Sequence, residues 1–373
     1  MLKSLYIRNF RGIKEAEIEE LTNVNIFIGR NSVGKSSILE AIYLASSWAE
    51  PMDPMRGVAK ADYIISRRGR RGNWDIYKEV IWYAKDVEKN IEIELKFVSS
   101  KKLRLKIFYE MLPISMLKSP TWLEISEDII PETLRTLYYS FEKNILWDPE
   151  TKDYNTGVSP EVVRERIFER FREEIEFLRN TVFLDDKISV EDFEKKIWMK
   201  ILSEKLEKTI TDLVKEEYEP NIKNIIFRST KFESNETDLF ISLTSSDKTI
   251  EIDALGDGVK KAIIYVSTVS LVDNTIVLIE DPEAHQHPNG IAALMRFILK
   301  RSRERRLQLF ITTHSIELVN IVKKICEDLG LRLRIFFVEK DYSTDTIDVR
   351  VLESIDVEVL QKIGIDPRLI YVL

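Results

Sequence analysis

Residues 24–45 read VNIFIGRNSVGKSSILEAIYLA, and three physical patterns succeed one another within them. Val24 to Ile28 is a β-rich apolar run that ends on a glycine, and from Ser36 to Ala45 the residues Ile38, Leu39, Ile42 and Ala45 recur at helical spacing. Between them, Gly29-Arg30-Asn31-Ser32-Val33-Gly34-Lys35-Ser36 fills every fixed position of the pattern G-x-x-x-x-G-K-[ST]. Glycines let such a loop curl until successive N–H groups point inward, and the helix start adds its positive dipole end. The stretch predicts a strand, a phosphate cradle formed by Arg30, Asn31, Ser32 and Val33 between the glycines, and a helix entered through Ser37. Lys35 would reach the β- and γ-phosphates of ATP, and the Ser36 hydroxyl would ligate Mg²⁺.

In a parallel sheet the chemistry sits beyond the C-terminal ends of the strands. Thr275 to Ile279 (TIVLI) and Leu307 to Ile311 (LQLFI) are runs suited to strands buried on both faces. The first leads into Glu280-Asp281-Pro282-Glu283, four residues with three carboxylates. Such a run is ordinarily a solvated turn. A buried strand that delivers carboxylates at its end is also what a Walker B motif needs, one acid for Mg²⁺ and the next to polarise water. Glu280 is assigned the metal role and Asp281 the base role, with Glu283 as reserve base. All three histidines fall nearby: His285 and His287 after the acids, and His314 in Thr312-Thr313-His314-Ser315. A neutral imidazole at a strand end can hold the γ-phosphate or the attacking water, and His314 is given that role. Further upstream, Gly256-Asp257-Gly258 opens an apolar-faced helix whose start is a ready anion site. If it does not reach its own phosphate loop, it caps the nucleotide of a second subunit.

The middle of the chain reads differently. Tyr77 to Phe97 contains two strand-like stretches, YKEVIWYA and NIEIELKF, followed after about residue 130 by charged helical segments. Ser159-Pro160 opens one helix with an apolar stripe through Val163, Ile167, Phe171, Ile175 and Leu178. Ser189 with Asp192 makes a capping box for another, striped by Phe193, Ile197, Ile201, Leu202, Leu206, Ile210 and Leu213. The last segment, LRLRIFFVEK and then TIDVRVL, predicts a β-hairpin closing the sheet.

Composition narrows the function classes. With 44% hydrophobic and 32% charged residues among 373, the chain is that of a globular protein. It contains neither an apolar run fit to span a bilayer nor the pattern of a signal peptide near its start, so a cytoplasmic location is expected. The single cysteine, Cys326, excludes an internal disulfide framework and a Cys-based zinc site, so any metal should come with the nucleotide. A net charge of −7 means that nucleic acid would have to find a local basic patch. Arg67-Arg68-Gly69-Arg70-Arg71-Gly72 with Trp74 offers one, although a solvated loop is the ordinary reading of such a run. Scarce Gln and Cys beside abundant Lys, Arg, Glu and Asp is a bias of proteins from hot environments.

These residues together resemble the ABC-like ATPases related to SMC proteins, RecF and the OLD (overcoming lysogenization defect) proteins. LYIRNFRGI is similar to their N-terminal strand and turn, in which Arg11 matches a residue near the nucleotide phosphates. VNIFIGRNSVGKSSILEAI resembles their Walker A segment, LGDGVKKAI their signature helix, VLIEDPEAHQHP their Walker B and following loop, and ITTHS their switch histidine. The E-D-P-E-A-H-x-H-P form points to the OLD-like branch. With 59 residues after His314, too few for that branch's Toprim nuclease domain as well as the closing hairpin, the expectation is the ATPase half alone. The resemblance implies an α/β ABC-type fold with a central mainly parallel sheet, an antiparallel β subdomain and an inserted helical lobe. Residues 1–50 and 250–373 would form the nucleotide-binding core of one split domain, and 51–249 the insert.

The activity implied is a slow Mg²⁺-dependent ATPase whose homodimer closes on two nucleotides and signals to DNA or to a nuclease in trans, in phage defence or DNA maintenance. Two departures bear on it. No glutamine occurs between Ser36 and Gln286 to serve as the family's Q-loop residue. Asp281 stands where relatives carry Glu, which draws the carboxylate back by about 1 Å and can cost about 100-fold in rate. A non-hydrolysing ATP-gated module and a RecF-like repair clamp are the alternatives.

Overall fold

A computed structural model describes residues 1–47, 49–69, 77–107, 109, 121–125, 137–140, 145–148, 153–156, 171–188, 197–218, 220, 222–231, 237–244 and 249–352. The strands are β1 (Leu2–Phe10), β2 (Ile13–Ile18), β3 (Val24–Ile28), β4 (Ile91–Phe97), β5 (Lys102–Ile107), β6 (Thr121–Ile125), β7 (Leu137–Ser140), β8 (Ile145–Asp148), β9 (Asp153–Thr156), β10 (Val182–Leu184), β11 (Asn224–Lys231), β12 (Thr237–Thr244), β13 (Thr249–Glu251), β14 (Ile276–Glu280), β15 (Gln308–Thr312), β16 (Leu333–Asp341) and β17 (Thr346–Leu352). The principal helices are α1 (Lys35–Ser46), α2 (Lys60–Ser66), α3 (Trp198–Ser203), α4 (Glu207–Glu217), α5 (Asp257–Leu271), α6 (Pro288–Glu304) and α7 (Ile316–Leu329). Residues 171–179 are helical as well.

The continuously apolar runs form the middle of a six-stranded sheet in the order β10-β14-β15-β3-β16-β17. Its first five strands run parallel, and β17 returns antiparallel to β16 as the expected closing hairpin. Every residue of β3 and β15 is buried, as are Ile276 to Ile279 of β14. Burying each such side chain contributes about 1.5–3 kcal/mol, so these strands belong between two layers and not at an edge. One consequence fixes the site: β3, β14 and β15 end side by side, with Thr312 opposite both Glu280 and Phe27.

Beside it lies an antiparallel sheet in the order β2-β1-β4-β5-β6-β7-β8-β9, and β11-β12-β13 form a third, also antiparallel. In β4 and β5 burial alternates residue by residue, as expected where only one face is covered. A glutamine joins the two larger sheets. From β15, the buried Gln308 accepts from the Leu2 N–H (2.8 Å) and donates to the Leu2 and Thr22 carbonyls (2.9 Å each). The fold class is the α/β arrangement anticipated from the sequence. Among the described residues no helix is long and apolar enough to cross a membrane.

Local expectations fail in two places. YKEVIWYA is not a strand. Residues 78–81 and 83–85 form 3₁₀ turns with Ala84 and Lys85 at positive φ, and the apolar residues serve instead to bury Ile81 and Trp82. The stripe from Ile197 to Leu213 belongs to two helices. Lys205 at φ 55° breaks it between α3 and α4, and Leu202 is left 40% exposed. Leu206, Ile210 and Ile201 are buried because tertiary packing of both short helices satisfies the same periodicity. Of the earlier helix, Phe171, Ile175 and Leu178 are buried, while Ser159-Pro160, Val163, Ile167 and the capping box Ser189/Asp192 lie outside the described residues.

Candidate functional site

The phosphate-type loop joins β3 to α1. Its glycines are required by the backbone itself: Gly29 sits at φ 148° and Gly34 at φ 105°. A Cβ on Gly29 would run into the Val338 carbonyl of β16, and one on Gly34 into the Ile347 side chain of β17. Lys35 is buried, and its ammonium donates to the carbonyls of Gly29 (2.9 Å) and Arg30 (2.8 Å), drawing the loop around it. Burial lowers its pKa to about 8 against the opposing pull of Asp281, Glu283 and Glu280, so at pH 7 it is still mostly charged.

A cavity of about 610 Å³ opens over this loop. Asn31, Ser32 and Gly34 to Ser37 line it from the loop, and Glu280, Asp281 and His314 from the ends of β14 and β15. The structure therefore brings together residues that are far apart in the chain. Asp281 has φ 41°, an unusual conformation for a residue with a side chain. It is held by its own N–H donating to the Thr312 carbonyl (3.1 Å), with the Thr312 hydroxyl donating to Oδ1 (3.4 Å). Burial, then the neighbouring Glu283 and Glu280, raise its pKa to about 6, and Lys35 opposes the shift. Its carboxylate is thus mostly ionised at pH 7 yet a stronger proton acceptor than an ordinary Asp.

Glu283 is placed differently from its expected role of reserve base. It does not line the cavity; its Oε1 accepts from the Thr313 hydroxyl (2.6 Å) and the His314 N–H (3.0 Å), fixing the turn that presents His314. His287 also has a local task, capping α6 by accepting from Asn289 N–H (3.3 Å). The start of α5 lies off the phosphate cavity. Gly256 and Asp257 are exposed, and Asp257 lines a smaller side cavity of about 270 Å³ with Lys260, Lys261 and His285.

Arg11 likewise does not line the phosphate cavity. Its guanidinium pairs with Glu40 (3.1 Å) and donates to the Ile64 and Val80 carbonyls, so its charge is spent beneath the site. Glu40, fully buried one turn into α1, also pairs with Arg67 and Arg68. Arg67, its side chain 5% exposed, reaches Asp185 beyond β10 and Glu280 at the end of β14 as well. Burial alone would raise the Glu40 pKa, but Arg67, Arg11 and Arg68 outweigh it and hold it low. Burial would likewise lower that of Arg67, and Glu40, Glu280 and Asp185 together raise it. Arg68, 43% exposed, donates to the Ser37 hydroxyl (3.2 Å) at the edge of the cavity.

These arginines are where the sequence reading went astray. As a DNA-contacting or solvated loop, Arg67 would have to be exposed; it is instead the centre of a buried ion network. Arg70, Arg71, Gly72 and Trp74 lie outside the described residues. Missed altogether were Glu40, Asp185, Asp186 and Lys187, the last two of which line the cavity. A signal for them existed: Val182-Phe183-Leu184 followed by two aspartates repeats the pattern of an apolar strand that ends in acids.

Among the described residues no cluster of three His, Cys, Asp or Glu side chains is arranged to hold a metal unaided. Mg²⁺ keeps several waters and takes one or two protein oxygens beside substrate phosphates. The Ser36 hydroxyl and the Glu280 carboxylate, both on the cavity wall, fit that requirement.

Comparison with known proteins gives one family and several relatives. Residues 24–320 match the family described as "AAA domain, putative AbiEii toxin, Type IV TA system". An "ATP/GTP phosphatase" of Helicobacter pylori is 22% identical over 91% of this chain and 93% of its own length. The DNA replication and repair protein RecF of Clostridium kluyveri is 34% identical over 29% of this chain and 24% of its own. The DNA double-strand break repair Rad50 ATPase of Archaeoglobus fulgidus is 49% identical over 14% and 6%. Among solved structures, an SMC head bound to the C-winged helix domain of ScpA aligns with a TM-score of 0.52 over 95% of this chain and 98% of that one. At 13% identity this is a likeness of fold.

Proposed function

The chain belongs to the AAA-domain family that its residues 24–320 match, and from that premise we propose that it is an ATPase of the ABC-like group to which SMC, RecF and Rad50 proteins belong. The observation that carries the proposal is the cavity shared by the Lys35 loop and the Glu280-Asp281 strand end. In the proposed reaction, loop N–H groups and Lys35 hold the triphosphate, Asp281 takes the proton of the attacking water, and His314 orients the γ-phosphate or that water. Mg²⁺, held through Ser36 and Glu280, would supply positive charge to the phosphate oxygens.

The exposed start of α5 supports a second step: Gly256-Asp257-Gly258 completes the cavity of another copy of the chain, so that ATP closes a homodimer, as the OLD-like form of the acidic loop suggests. Residues 1–50 and 250–373 then act as one split ATPase core. The insert 51–249, which contributes Arg67, Arg68 and Asp186 to the cavity wall, carries closure to a nuclease partner or to DNA. The names of the RecF and Rad50 relatives favour DNA maintenance as the process.

A mixing experiment tests the reading. Lys35→Ala chains lack the loop, and Gly256→Glu chains lack the trans contact; Gly256 has open space around it, so the new side chain disturbs only what approaches from outside. Each alone should be inactive, and the mixture should recover about a quarter of wild-type phosphate release, from the mixed half of the dimers and one intact site in each. Recovery of nothing from chains that still bind ATP removes the trans step, whereas a wild type that binds no ATP removes the whole proposal.

A further inference from the structure

The acidic turn after β14 is tied to the helix that the phosphate cavity does not use. Lys261, one turn into α5, is 7% exposed and donates to the Asp281 carbonyl at 3.0 Å, its ammonium lying 5.4 Å from the centre of the Tyr265 ring. The same carbonyl accepts from the Ala284 N–H (3.0 Å), closing the turn. On the opposite side the Asp281 N–H is held by the Thr312 carbonyl. A residue with a side chain at φ 41° keeps that conformation only where its surroundings impose it. Here β15 grips its N–H and α5 its C=O.

A second strut runs parallel to the first. Gln286 Nε2 donates to the Gly258 carbonyl (2.9 Å), and Gln286 Oε1 accepts from Tyr218 (2.9 Å). Gly258 itself lies so close to the His285 carbonyl that a Cβ would come within 2.7 Å of it. Two side-chain bonds and one backbone approach thus join the turn 281–286 to the first turn of α5. Burying a lysine against a helix face costs solvation, and the acids Glu283, Asp186 and Asp281 oppose that cost. A Leu or Met would fill the same volume without it, so packing alone does not explain the residue.

We propose that Lys261 is a positioning residue for Asp281, and that with Gln286 it makes the acidic turn and the start of α5 a single mechanical unit. Resting on the ATPase reading above, this means that a shift of Asp281 on nucleotide closure is passed directly to the helix start that faces another subunit.

The test compares Lys261→Met, Lys261→Gln, Asp281→Asn and the Lys261→Met/Asp281→Asn double variant in the full chain, with melting curves to establish folding. Fluorescent-ATP affinity should stay within about threefold of wild type in Lys261→Met while phosphate release falls about 10- to 100-fold, the cost of misplacing a reacting group by an ångström or less. Because Lys261 acts through Asp281, the double variant should be no slower than Asp281→Asn alone. Lys261→Gln, which keeps an N–H donor on a stem one atom shorter, should recover part of the loss. Unchanged release, affinity falling in step with release, or additive losses in the double variant would each overturn the assignment. Amide hydrogen exchange supplies an arm that needs no hydrolysis: in Lys261→Met the Ala284 amide should exchange about tenfold faster, with Gly29 to Ser36 unaffected. If the wild type releases no phosphate, the ATPase reading fails by itself. Equal Ala284 protection in wild type and variant then overturns the clamp.

Discussion

The two walls of the phosphate cavity are built in opposite ways. One is a contiguous loop, Gly29 to Ser37, whose shape follows from its own glycines and from the helix it opens. The other is gathered from separate segments that bring Arg67, Asp186, Glu280, Asp281 and His314 to the ends of three parallel strands, and is held by buried charge. The first wall needs little beyond local chemistry. The second exists only when the sheet has formed and Glu40 and Asp185 have drawn Arg67 inward. On the proposed function, the difference predicts that binding and hydrolysis break separately, affinity with the loop wall and turnover with the gathered wall.

The largest effect should come from the gathered wall. Asp281→Asn keeps the shape but cannot take a proton, so phosphate release should fall by about 10²–10⁴ while ATP still binds, as steady-state release and a binding titration will read. In the wild type, release should also decline as pH falls through about 6, where Asp281 is protonated. Stability runs the other way. Since the folded-state pKa is raised, the native chain holds this proton where the unfolded chain has lost it, and stability is lost as pH rises from about 4 to about 6. Asp281→Asn should therefore melt about 1–3 °C above wild type at pH 7, and a lower melting point would contradict the burial argument.

Next in size is the loop. Lys35→Ala should weaken ATP binding by about 100-fold or more, because backbone N–H groups alone do not balance the triphosphate charge. Unchanged affinity in a titration would undo the division between the walls.

The ion network gives a third contrast. Arg67→Met leaves Glu40 and Asp185 buried with one cation fewer, a loss of about 3–5 kcal/mol in denaturant unfolding. Arg68→Ala, at a half-exposed partner of the same Glu40, should cost about 1 kcal/mol or less. Equal costs would mean that burial does not distinguish the two arginines.

The smallest effects separate the glycines at the start of α5. Gly258→Ala must displace the His285 carbonyl and should cost about 1–3 kcal/mol, whereas Gly256→Ala meets nothing and should stay within about 0.5 kcal/mol. Chemical denaturation of the two variants reads the difference.

The legibility of the chain follows the same division. The loop, β14 with its acids and β15 with His314 could be read because each is a short run whose pattern and chemistry are contiguous. Arg67 was misread because six charged or glycine residues in a row look solvated, and nothing local says that a carboxylate on α1 and another beyond β10 will bury the first of them. Arg11 was assigned by likeness to a phosphate contact, yet the competing Glu40 takes its charge. YKEVIWYA has the composition of a strand, but burial of Ile81 and Trp82 does not require one.

By itself the sequence determined the strand–loop–helix of residues 24–45, the apolar strands of the parallel sheet and the carboxylates and histidine at their ends. Periodicity and glycine placement act over a few residues, within reach of the local backbone. Only the tertiary structure decided which charges meet. The pairing of Arg67 with Glu40, Asp185 and Glu280, the turning of Glu283 toward His314 and the grip of Lys261 on Asp281 all join groups distant in the chain. A buried charge is tolerated only where folding brings it a partner, and the identity of that partner is a property of the packed sheet ends and not of any local run.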